Sequence, residues 1–230
     1  KEMHEQPMAL RSTIAGRLHG DELRIEELAP VLDAIARADR IELVACGTAG
    51  YAASVGAYAL QQWAGIPARW TIGSEFRYSP PPLDERALVI AVTQSGETAD
   101  TLAPVRLARE RGCTVIAVTN TVGSAITRDS DAVLFLQAGP EIAVVATKTF
   151  VTQVTTLVML AAAIAKARGR LDPATERELV HGLRALPDAA EQALEMAAPA
   201  RDLARRYVNA KGFMFVGRGI TYPVALEGAL

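Results

Sequence analysis

The chain is poor in residues that ligate metals or form disulfides. Two cysteines, Cys46 and Cys113, and three histidines, His4, His19 and His181, are spread over 230 residues. The histidines have no Cys or acidic partners at ligand spacing, so no metal site is expected. Two thiols in a chain of this length do not make a disulfide framework, and they fit the reduced cysteines of a cytoplasmic protein. A basic excess is also missing, since the formal net charge is −2. With no Lys/Arg cluster and aromatics at only 5%, nucleic acid is not an expected partner. The opening Lys1-Glu2-Met3-His4-Glu5-Gln6-Pro7 is charged and lacks an apolar core, unlike a signal peptide. The longest apolar stretch, Phe150 to Ala165, is interrupted by Thr152, Gln153, Thr155 and Thr156. It reads as too short and too polar to span a bilayer, hence as a buried helix, and no membrane is expected as a partner.

Hydrophobic residues supply 50% of the chain, which argues for one α/β domain with a large core and something more. Pro7 to Leu18 and Ile25 to Ala38 read as helical, with Pro30 placed to break or kink the second near its start. Five short apolar runs follow: Arg40 to Cys46, Ala68 to Ile72, Ala87 to Val92, Thr114 to Val118 and Ala132 to Leu136. A helix is expected from about Tyr51 to Ala64, and helices fill most of the other gaps. This alternation predicts a parallel sheet covered on both faces.

The run ending at Val92 leads into Thr93-Gln94-Ser95-Gly96-Glu97-Thr98. Ser95 is the expected N-cap, with Thr98 three positions on in the first turn of a helix continued by Thr101 to Arg111. Hydroxyls and free N–H groups would then surround the positive end of a helix dipole, and Gly96 would allow close approach; such a place suits a phosphate. Glu97 must point away, toward Arg77 or a partner subunit. In the flavodoxin-like strand order this loop faces Gly47-Thr48-Ala49-Gly50, after the first strand, across the topological switch point. Glu141 to Thr149 lands on the same edge. There Lys148 either adds positive charge or is a solvated helix-start lysine.

Thr175 to Leu186 and Ala189 to Ala198 read as connecting helices with Pro187 between them. Gly212 to Gly219 then reads as strand and glycine turn, and Tyr222 opens another helix, as in Cys46-Gly47-Thr48 through Tyr51. This pattern predicts an internal duplication whose second copy is expected to be incomplete. A dinucleotide fold is the rival, but Gly47 and Gly50 have the wrong spacing, no acid ends the second strand, and there is no P-loop.

In order, the chain carries His4-Glu5-Gln6-Pro7, Cys46-Gly47-Thr48, Ser74-Glu75-Phe76-Arg77-Tyr78, Gln94 through Thr101, Ala146-Thr147-Lys148, and Gly217-Arg218-Gly219 through Tyr222 to Leu230. Together these resemble the isomerase half of the glucosamine-6-phosphate synthases (glutamine–fructose-6-phosphate aminotransferases, isomerising), built from two sugar-isomerase (SIS) domains. The resemblance implies a SIS fold with a five-stranded parallel sheet. It divides the chain into a linker and N-terminal helix (1–24), a first SIS domain (25–168), connecting helices (169–210) and the start of a second SIS domain (211–230).

It also implies a site for a hexose phosphate such as fructose 6-phosphate or glucosamine 6-phosphate. Thr93, Gln94, Ser95 and Thr98 would hold the phosphate. Thr48 and the position of Ala49, with Gly47, would meet the sugar end, and the backbone near Val144 with Ala146 would line the opposite wall. The family commonly has serine at the positions of Ala49, Thr93 and Ala146; only Thr93 keeps a hydroxyl. No cofactor is implied. The family's catalytic lysine, glutamate and histidine are expected beyond Leu230 and its glutaminase domain before Lys1, so this chain is expected to be inactive alone, and Glu227 is not assigned as a base. A homodimer paired through apolar helices, Phe150 to Ala165 among the candidates, is also expected. Ala146-Thr147-Lys148-Thr149 leans toward a related glucosamine-6-phosphate deaminase, His4-Glu5-Gln6-Pro7 and Ser74 to Tyr78 toward the synthases. A non-catalytic SIS sensor is the alternative of a different class.

Overall fold

In the computed structural model, which describes residues 1–143 and 145–230, five parallel strands form the centre: β1 (Arg40–Ala45), β2 (Ala68–Ile72), β3 (Ala87–Val92), β4 (Thr114–Thr119) and β5 (Ala132–Phe135). Their order is β2-β1-β3-β4-β5, the flavodoxin-like arrangement. Every residue of β3 is buried, because this central strand is covered on both faces. Leu88, Ile90 and Val92 face one core, while Ala87, Val89 and Ala91 face the other.

The helices are α1 (Gln6–Ile14), α2 (Leu32–Arg37), α3 (Thr48–Ala59), α4 (Gly73–Tyr78), α5 (Ala99–Glu110), α6 (Ala125–Arg128), α7 (Lys148–Ala167), α8 (Pro173–Glu195), α9 (Ala197–Arg206) and α10 (Tyr222–Ala229). The first core gathers residues of α1, α3, α7 and α8, and the second residues of α4, α5 and α6. α7 is 20 residues long, and the 18-residue window in it of mean hydropathy 1.6 is 61% buried. By length and composition alone it is apolar enough to cross a membrane, which corrects the expectation of a shorter, more polar stretch. Its packing makes it a core helix, as one of the two readings of Phe150 to Ala165 expected, with Phe150, Val151 and Val154 left half-buried.

Other expectations change as well. The first helix stops at Ile14, and Leu18–His19 pairs antiparallel with Glu22–Leu23 instead of continuing it. Glu26–Val31 is 3-10 helix around Pro30, whose missing N–H suits the break before α2. Pro187 does not divide α8: it is buried along the face carrying Val180 and Leu183, and that packing holds the helix through it. Gly212 to Gly219 forms no strand, having no partner to complete a ladder, and Phe213, Met214, Phe215 and Val216 are exposed.

Candidate functional site

Parallel pairing puts the loops after β1 and β3 at one sheet edge, and α7 begins beside them. Between them lies a cavity of about 230 Å³ lined by Thr48, Ala49, Thr93, Gln94, Ser95, Thr98 and Ala146. These loops, separated in sequence, therefore meet as expected. Gly47 does not line the cavity. At φ +55 it turns the chain from β1 into α3, a conformation that favours glycine. Val144 lies outside the described residues. Sequence reasoning missed Cys46, Val92, Thr101, Thr149 and Gln153, which line the cavity too.

The cap at α5 differs from the expected one. Thr98 is the N-cap, and Ser95 instead accepts a hydrogen bond from the Glu97 N–H through Oγ at 3.2 Å. Thr93 Oγ1 accepts from the Gly96 N–H at 3.3 Å. The N–H groups of Gln94, Ser95, Thr98, Ala99 and Asp100 have no hydrogen-bond acceptor among the described residues. They stand at the positive end of a 12-residue helix. Gly96 is needed on the side away from the cavity, where it packs against Ser124 and Ile126. Glu97 also turns away, as expected, but not toward Arg77. Its carboxylate accepts from the Ala125 N–H at 2.7 Å and caps α6, while Arg77 faces Asp100 at 3.8 Å.

None of the described lining residues is charged. Lys148 fits neither expected role: it is buried and its Nζ lies 2.6 Å from Glu5 Oε2, so its charge is already answered. The Glu141 carboxylate fills the start of α7, accepting from the N–H groups of Thr147 and Lys148 and from the Thr149 hydroxyl. Among the described residues, the donors that this site offers an anion are therefore all neutral: amide N–H groups, hydroxyls and the Gln94 amide. This chemistry complexes an anion by hydrogen bonding and helix dipole, without an ion pair.

Glu227, set aside at first, reaches this edge. Thr48 Oγ1 donates to Glu227 Oε1 at 2.9 Å, and Glu227 Oε2 is buried without a partner among the described residues. Burial pushes the Glu227 carboxyl up, and the Thr48 hydrogen bond opposes this. Both cysteines are free thiols, and burial pushes the Cys113 thiol up.

A model of the SIS domain matches residues 34–163. The chain belongs to the SIS-domain family. It is 46% identical over its whole length to a glutamine–fructose-6-phosphate aminotransferase (isomerising) of Symbiobacterium thermophilum, of which it covers 38%. To the enzyme of that name from Corynebacterium efficiens it is 44% identical, again over the whole chain, covering 37% of the relative. The chain thus spans less than two fifths of these relatives. Among solved structures, the C-terminal domain of glucosamine-fructose-6-phosphate aminotransferase from Francisella tularensis superposes with a TM-score of 0.95 at 30% identity, over 99% of this chain and 64% of that one.

Proposed function

We propose that this SIS domain is the sugar-phosphate-binding first half of the isomerase of a glutamine–fructose-6-phosphate aminotransferase, in amino-sugar biosynthesis. The observation that carries the reading is the turn before α5, where Gln94, Ser95 and Thr98, whose N–H groups have no acceptor among the described residues, line an uncharged cavity at the sheet's switch point. In this reading the phosphate of fructose 6-phosphate or glucosamine 6-phosphate lies against Thr93, Gln94, Ser95 and Thr98. Thr48 and Ala49 bound the sugar end, with Ala146 opposite. Ala49 and Ala146 bring no side-chain hydrogen bond, so recognition there falls to backbone groups and shape.

The reading includes a full-length protein with a glutaminase domain and a second SIS domain, opened here by residues 211–230. The coverage of the relatives supports it. A cytoplasmic homodimer belongs to the same reading, and the free thiols agree with the compartment. Among the described residues the cavity lining offers no amine for an imine and no base positioned for proton transfer, so ketose chemistry is assigned to the rest of the protein.

Calorimetric titration with fructose 6-phosphate, and diffraction from crystals soaked with it, test the reading. Weak binding is expected, with the phosphorus atom against Gln94 to Thr98 and no glucosamine 6-phosphate formed from fructose 6-phosphate and ammonia. A phosphorus atom lodged elsewhere, or appreciable turnover by this chain alone, overturns it.

A further inference from the structure

α7 is an apolar helix with several buried polar side chains, and most of them are accounted for within the fold. Thr152 donates to the carbonyl of Lys148 at 2.9 Å and Thr155 to that of Val151 at 2.8 Å. Thr149 is taken by Glu141. Gln153 differs. It is 1% exposed, its Oε1 is buried without a hydrogen-bond partner among the described residues, and it lines the cavity beside Thr93 and Thr101. Rotating the amide by 180° would bury an unpaired N–H instead, which calls for an acceptor; in the structure it is the oxygen that is buried, and it calls for a donor. Thr156 Oγ1, further along α7, is also unpartnered but does not border the cavity.

We propose that the Gln153 amide is a specificity-determining contact of this cavity, completed by a hydroxyl group of the bound sugar phosphate. The inference rests on the sugar-phosphate reading above and adds a residue to it. An amide oxygen needs a donor. Ionised phosphate oxygens only accept, so the phosphate itself cannot satisfy Oε1, whereas a sugar hydroxyl can donate to it. The turn before α5 and Gln153 then have separate tasks: the turn holds any phosphate, and Gln153 favours one that carries a polyol. A site built to hydrogen-bond a hydroxyl rejects a ligand lacking it, because the buried amide is left unpaired.

Calorimetry on the 230-residue chain with two probes, inorganic phosphate and fructose 6-phosphate, tests this. Gln153→Met keeps the length of the side chain and removes the amide. It should weaken fructose 6-phosphate binding roughly five- to tenfold, the equivalent of one hydrogen bond, while phosphate affinity stays within about twofold. Undiminished affinity for the sugar phosphate overturns the proposal, and so does an equal loss for both probes. A variant that does not fold leaves a second measurement on the wild type. Its Gln153 side-chain Nε2 amide resonance should shift with fructose 6-phosphate and hold still with phosphate; a resonance unmoved by the sugar phosphate overturns the contact. If the wild type binds neither probe, the sugar-phosphate reading falls and this contact with it. If it binds both and Gln153 is silent, the contact alone falls.

Discussion

Thr48 and Glu227 stand 179 positions apart and share a 2.9 Å hydrogen bond at the rim of the cavity. Thr48 opens α3, Glu227 belongs to α10, and the two helices pack together. The bond seats the last helix on the edge of the candidate site. Thr48→Val keeps the shape and removes the donor, leaving the half-buried carboxylate unpaired. Amides of residues 222–229 should then exchange with solvent roughly five- to tenfold faster, the worth of about one hydrogen bond. Glu227→Gln retains an acceptor and should stay near wild type. Hydrogen exchange read by mass spectrometry checks both, and equal rates in Thr48→Val and wild type would detach α10 from the rim.

Ser95→Ala and Thr98→Val should each weaken fructose 6-phosphate binding by about 1–3 kcal/mol, the cost of removing a hydrogen bond from a charged acceptor. Inorganic phosphate should lose affinity in parallel, because in the proposed reading these hydroxyls face the anion and not the sugar. That parallel loss separates them from Gln153→Met in the same calorimeter. Full affinity in either variant moves the phosphate off the turn.

The sheet was legible because its strands are short, β-branched and apolar on both faces, a pattern few other elements share. The meeting of the loops after β1 and β3 followed from strand order. What escaped depended on partners distant in sequence. Lys148 reads as a surface lysine until Glu5, 143 residues earlier, is found beside it. Gln153 reads as an interruption of a core helix, since only the folded cavity distinguishes a lining amide from a buried one. Phe213 to Val216 has the composition of a strand but lacks a neighbour to pair with, and local pattern does not supply one. Ser95 has the chemistry of an N-cap, yet the helix begins later because Gly96 in its left-handed conformation carries the chain one turn further.

Gly96 sits at φ +71, its N–H on Thr93 Oγ1 and its carbonyl accepting from the Ile126 N–H at 3.1 Å. A Cβ there would collide with the Ser124 side chain. Gly96→Ala therefore combines left-handed strain of roughly 1–2 kcal/mol with overpacking of roughly 1–3 kcal/mol. A loss of about 2–5 kcal/mol should lower the melting temperature by roughly 4–20 °C in a protein this size. Scanning calorimetry measures it, and an unchanged melting temperature would show that the turn can be rebuilt without strain.

The ion pair of Lys148 and Glu5 ties the N-terminal segment to the start of α7. Lys148 is 3% exposed at its side chain and Glu5 27%, so the two ends should respond unequally. Glu5→Gln leaves a buried ammonium without its counter-charge. Lys148→Met replaces that ammonium by an apolar group of similar length, which a buried position tolerates better. Denaturant midpoints should fall further for Glu5→Gln than for Lys148→Met, and the reverse order would place the lysine charge in contact with water.

Glu42 supplies a pH test. Only 4% exposed, it accepts from Arg69 Nε at 2.7 Å, yet burial outweighs this bond and pushes its carboxyl up. A carboxyl that holds its proton more tightly when folded stabilises the fold below the ordinary glutamate range, and loses that contribution as pH rises through the raised value. Glu42→Gln keeps an acceptor for Arg69 and cannot ionise. The variant's unfolding free energy, minus that of the wild type, should rise with pH through this window and then level off. Asp84 and Asp172, whose carboxyls are held low by Arg40 and by Thr175 respectively, titrate in both proteins and cancel from the difference. Urea unfolding at intervals from about pH 4 to about pH 8 gives the curve. A difference independent of pH would mean that Glu42 keeps its ordinary affinity for protons inside the fold.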